Sequence, residues 1–97
     1  MNIKTKSGFA VEVNPKILED WVLLGYLAEL DESKNFAEQR KLLEKAIKRM
    51  IGEKGYLNFC KHLEKDGVTS IVDVSNEFKE IITLCSGEAK KQYTLSA

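Results

Sequence analysis

Residues 21–28, WVLLGYLA, form an unbroken apolar run in a chain of which 31% of the residues are charged. A bilayer span needs about 20 such residues. The run therefore belongs either to a helix buried around most of its circumference or to one that keeps part of its surface for a partner. With 97 residues, 43% of them hydrophobic, the chain supports one small domain with a modest core.

The residues before the run read as a hairpin and a helix start. In MNIKTKSGFAVEVN, Met1, Ile3 and Thr5 alternate with polar residues, as do Phe9, Val11 and Val13. A two-residue Ser7-Gly8 turn would set Ile3 against Glu12. A three-residue loop, Lys6-Ser7-Gly8, instead pairs Thr5 with Phe9, Ile3 with Val11 and Met1 with Val13. That register puts the apolar side chains on one face, with Gly8 as the left-handed residue. Asn14 is a capping residue and Pro15 suits a first helical position, so a helix is expected over 15–32.

At about 100° per residue, Ile17, Leu18, Trp21, Val22, Leu24, Gly25 and Ala28 cover an arc of roughly 160°, wide enough for a core face. Leu23, Tyr26, Leu27 and Leu30 form a second strip roughly 100° wide on the other side. One helix with two apolar faces accounts for the unbroken run. Either both faces pack inside the domain, or the second strip, with Trp21 nearby, docks a partner helix or another copy of the chain.

Three more helices follow. FAEQRKLLEKAIKRMIG predicts one over 35–51, with Phe36, Leu43, Ala46, Ile47 and Met50 as its apolar stripe and Leu42 and Ile51 at the edges. Gly52 and Gly55 punctuate the chain. YLNFCKHLEKDG predicts a third helix over 54–65, with Tyr56, Phe59, Cys60 and Leu63 inward, closed by Gly67. A fourth, capped by Thr69 or Ser70, spans 70–86 on Ile71, Val74, Phe78, Ile81, Ile82 and Cys85, and Ser86-Gly87 ends it. Residues 88–97 show no usable period and are expected to be a flexible tail. The fold class is thus mainly α: an N-terminal β-hairpin over 1–13 and about four amphipathic helices in one domain over 1–87.

The composition offers little chemistry. Fifteen basic and fifteen acidic residues give a formal net charge of zero, which argues against general affinity for nucleic acid or an anionic membrane. Residues 36–67 are mildly basic, with eight Lys or Arg against five acids, and the flanks are mildly acidic. No basic segment followed by an apolar one opens the chain. Cys60 and Cys85 form no framework pattern, so reduced thiols and a cytoplasmic setting are expected.

Cys60 and His62 are two residues apart, about 200° around a helix axis, and cannot act on one metal or as a nucleophile pair. Asp20, Glu29, Asp31 and Glu32 lack calcium-loop spacing, and there is no glycine-rich phosphate loop. Neither catalytic residue, cofactor nor metal site is expected, and no membrane partner. A rival of another class is a small phage-type regulator that binds DNA through helices two and three, where Arg40, Lys41, Lys45, Lys48, Arg49, Lys54, Lys61 and Lys65 face phosphates.

The order of elements, with SGFAVEV at 7–13, DWVLL at 20–24 and LAELDE at 27–32, resembles the tail assembly chaperones of long-tailed phages and prophages. The likeness extends to about residue 87 and rests on structural rather than catalytic motifs. It implies a non-enzymatic protein that coats the helical, apolar tape-measure protein while the tail tube assembles in the host cytoplasm, and that is absent from the mature virion. It also implies a longer product made by ribosomal frameshifting, which would contact the tail tube protein; the adjacent Lys90-Lys91 suit an A-rich slippery sequence. Under this reading Leu23, Tyr26, Leu27 and Leu30, with Trp21, bind the tape measure or a neighbouring copy in a homo-oligomer.

Overall fold

A computed structural model of the chain describes the backbone of residues 1–93 and the side chains of residues 1–87. A two-stranded antiparallel hairpin, β1 (Asn2–Lys4) and β2 (Ala10–Glu12), leads into a single 3-10 turn (Ile17–Glu19) and three helices, α1 (Trp21–Glu32), α2 (Phe36–Leu63) and α3 (Ile71–Tyr93). The fold is mainly helical, as the periodicities predict.

The hairpin has the register that gathers its apolar residues. Ile3 pairs with Val11, and hydrogen bonds from the Thr5 amide to Phe9 and from the Val13 amide to Met1 extend the pairing beyond the strands. Gly8 takes the left-handed conformation of the loop, with φ 95°. Ile3, Phe9 and Val13 are buried in the core.

The first helix departs from expectation. Asn14 does accept the Lys16 amide, but the chain makes only the 3-10 turn before Asp20 turns extended (φ −70°, ψ 122°) and α1 begins at Trp21. Asp20 wins the competition between caps. Its carboxylate accepts the Leu23 amide at 2.8 Å and also binds Arg49 of α2, whereas the Asn14 side chain accepts only the Lys16 amide among the described residues.

That restart reverses the two faces. Ile17 and Leu18 reach the core from the 3-10 turn and no longer share an arc with Trp21. In α1 the strip expected to be spare points inward: Leu23 is fully buried, Tyr26 and Leu27 pack on the core, and Leu30 is half-buried. The arc expected to be core faces outward, with Trp21 87% exposed and Val22, Leu24, Gly25 and Ala28 exposed beside it.

Asn35 caps α2 through the Glu38 amide. Gly52, at φ 80° and ψ 171°, breaks this helix into two arms, because that backbone region is nearly closed to residues with a Cβ. Leu42, Ala46, Ile47 and Met50 of the first arm and Phe59 and Leu63 of the second are buried. Phe36, expected in the stripe, is instead 64% exposed at the helix start. A tight Asp66-Gly67 turn, both residues at positive φ, closes a bridge between Lys65 and Val68.

Ser70 then caps α3 through the Val72 and Asp73 amides, and Phe78, Ile81 and Cys85 are buried. This helix does not stop at Ser86-Gly87 but continues to Tyr93. Gly87 sits in the helix without a positive φ, and Glu88, Ala89, Lys90, Lys91 and Gln92 all favour helix. Of the expected tail, residues 94–97 lie outside the described residues.

Candidate partner-binding surfaces

The Gly52 break builds a groove. On a straight helix Glu44 and Tyr56 would lie about 18 Å apart. Here the Tyr56 hydroxyl donates to Glu44 Oε1 at 3.1 Å, because the second arm turns back towards the first. The start of α3 forms the remaining wall. The resulting cavity of about 330 Å³ has an apolar lining of Phe36, Leu43, Ile47, Tyr56, Cys60, Ile71 and Val74. That volume lies at the lower end of the range of ligand sites. Phe36 and Ile71, 64% and 44% exposed, stand at its rim.

The polar groups in the groove are already engaged within the chain. Arg40 and Lys48 both bind Glu44, at 2.6 and 3.0 Å. The Thr69 hydroxyl donates to the Cys60 carbonyl at 3.2 Å. Arg40 first, then Lys48, holds the Glu44 carboxyl at about 2, below its ordinary range. Burial, followed by contacts with Cys60 and Glu44, pushes the Tyr56 phenol up to about 12. A guest in this groove meets apolar walls and polar side chains that already bond within the chain. It therefore has to bring apolar side chains and satisfy its own backbone, as a helix does.

The residues singled out in α1 are placed differently from expectation. Leu23 has no accessible surface. Tyr26 and Leu27 pack between α1 and the core, and only Trp21 of the five stands free. The cations expected to face phosphates are partly consumed: Arg40 and Lys48 bind Glu44, and Arg49 binds Asp20.

A polar cluster that the sequence alone did not reveal joins the hairpin loop to the helices. Ser7 Oγ and Thr5 Oγ1 each donate to Glu77 Oε2 at 2.7 Å, and Ser7 Oγ also lies 3.0 Å from His62 Nε2. The Lys6 amide donates to Glu80 at 2.6 Å. Serine, histidine and a carboxylate meet here in the wrong order for nucleophilic catalysis. The serine bridges the other two, whereas a histidine base must sit between serine and acid. The cluster is a clasp: it satisfies buried Glu77 and holds the loop to α3. Cys60 lines the groove and His62 packs on Phe9 and Ser7, so this pair shares no site.

Among the described residues no group of three or more His, Cys, Asp or Glu side chains is placed to hold a metal ion. No described helix is long and apolar enough to cross a membrane. Neither family models, nor curated proteins, nor solved structures provide a match to this chain.

Proposed function

We propose that this chain is a non-enzymatic tail assembly chaperone of a long-tailed phage or prophage, which binds the helical tape-measure protein during tail morphogenesis. The observation that carries the reading is the groove between the arms of α2 and the start of α3: apolar, open, and lined by polar groups that already have partners. Such a surface suits the apolar side of a long helix, the client that the resemblance in SGFAVEV, DWVLL and LAELDE implies. The client-binding residues under this reading are Phe36, Leu43, Ile71 and Val74 rather than the strip on α1, which faces the core. The protein acts in the host cytoplasm and leaves before the virion matures. A frameshifted longer form recruits the tail tube protein.

The alternative of a DNA-binding regulator loses Arg40, Lys48 and Arg49 to ion pairs with acids of the same chain and keeps the exposed Lys41, Lys45, Lys54, Lys61 and Lys65.

Co-expression with the tape-measure protein encoded nearby tests the proposal. The tagged chain is expected to keep the tape measure soluble and to co-purify with it. Phe36→Glu with Ile71→Glu, both at exposed rim positions, is expected to abolish co-purification without unfolding the chain. A tape measure that stays insoluble, with no association, overturns the reading; salt-dependent binding to duplex DNA would put the regulator in its place.

A further inference from the structure

The outward face of α1 has no partner within the chain. Trp21, Gly25, Ala28 and Glu32 run down its centre, with Leu24 on one flank and Val22 on the other, all exposed. Trp21 is the chain's only tryptophan, and large apolar side chains at such exposure, grouped on one helix face, mark an interaction surface. Gly25 is unexplained by the monomer. Its φ is not positive and a Cβ there would meet open space, yet glycine weakens a helix interior relative to alanine.

We infer that this face is the interface of a homodimer, in which α1 of a second copy packs antiparallel across it near Gly25. One feature chooses this occupant over an unrelated helix. The face is self-complementary in size: its large residues, Trp21 and Leu24, lie towards the N-terminal end and its small ones, Gly25 and Ala28, towards the C-terminal end. An antiparallel pair sets Trp21 against the partner's Ala28 and Leu24 against the partner's Gly25, and the missing Cβ lets the helices approach.

Charge sets the direction of the pair. The C-terminal end of the face carries Glu29, Asp31 and Glu32, none of them in an ion pair among the described residues. Its N-terminal end carries the positive pole of the helix dipole, and the charges around that end, Lys16 and Arg49 with Glu19 and Asp20, sum to zero. Antiparallel packing brings each acidic end to the partner's N-terminal end. Parallel packing would stack three acids on three. A two-fold pair of this kind is the commonest form of soluble homo-oligomer. The groove takes no lining residue from α1, so the two surfaces can be tested separately.

Sedimentation of the chain alone, without any client, tests the inference separately from the chaperone reading. The apparent mass is expected to double as concentration rises, and Trp21 emission to shift to the blue over the same range. Gly25→Leu is expected to abolish both changes with helix content and Tm maintained. In a Cys60→Ser background, Trp21→Cys and Ala28→Cys chains are expected to cross-link when mixed and not when separate. A monomer at every soluble concentration overturns the inference, as does a dimer whose Trp21 emission does not move or which survives Gly25→Leu. Cross-linking of each cysteine variant with itself overturns the antiparallel arrangement.

Discussion

Arg49 of α2 grips both oxygens of Asp20, with Nε at 2.8 Å from one and a terminal nitrogen at 2.9 Å from the other. The same carboxylate accepts the Leu23 amide. One side chain thus sets where α1 begins and ties it to α2. Asp20→Ala removes the cap and the ion pair together, whereas Asp20→Asn keeps a capping oxygen and loses only the charge. Thermal unfolding followed by circular dichroism is expected to show a Tm lowered by several degrees in the alanine variant and by less in the asparagine variant. Equal losses would mean that the cap contributes nothing.

Acid should loosen the same joint. Arg49, with the Leu23 amide second, lowers the Asp20 carboxyl from 3.8 to about 2. Arg40 and then Lys48 lower Glu44 from 4.5 to about 2. Both folded values are depressed, so the stability they contribute is complete above the ordinary carboxyl range. It drains away as pH falls from about 4.5 to about 2. Both pairs are near the surface, so the effect is modest and weakens with salt. Urea midpoints measured through that window are expected to fall more steeply for the natural chain than for Asp20→Asn with Glu44→Gln.

The two faces of α1 make opposite predictions for truncation. Leu23→Ala opens a cavity at a side chain with 0% exposure and is expected to destabilise by about 2–5 kcal/mol. Trp21→Ala, at 87% exposure, is expected to change the unfolding free energy of the dilute monomer by less than about 0.5 kcal/mol. Chemical denaturation at low protein concentration checks both. The reverse ranking would restore the face assignment drawn from periodicity.

Gly52 is tested by adding one methyl group. No atom crowds its Cβ position, so the whole penalty of Gly52→Ala comes from its backbone at φ 80° and ψ 171°, expected at about 1–3 kcal/mol. Gly25→Ala, also in open space but helical, is expected to stabilise the dilute monomer slightly. Comparing the two by urea denaturation separates conformational strain from packing.

These contrasts show what could be read from the residues and what could not. The hairpin register was legible because alternation on both strands and one glycine in the loop leave a single pairing that gathers Ile3, Phe9 and Val13. The break after Ile51 was legible from Gly52 for a similar reason. The phase of α1 was not. Asn14-Pro15 and Asp20 are both sound helix starts, and only the position of Arg49, 29 residues away, decides between them. A helix begun at Pro15 puts Ile17 and Leu18 on one arc with Trp21, whereas the 3-10 turn before Asp20 separates them. Ser86-Gly87 looked like a stop because glycine often ends helices, but nothing there demands a positive φ. The groove and the Ser7–Glu77 clasp were beyond reach, since each joins residues from segments that meet only after α2 turns at Gly52 and α3 packs back.

The central claim is that the groove receives an apolar helix. Its most direct test is to titrate isotopically labelled chain with helical segments of the tape-measure protein and follow methyl resonances. The account predicts saturable shifts centred on Leu43, Ile47, Ile71 and Val74, absent in the chain carrying Phe36→Glu and Ile71→Glu. Shifts centred on α1 alone, or none at concentrations that keep the segment soluble, would contradict it.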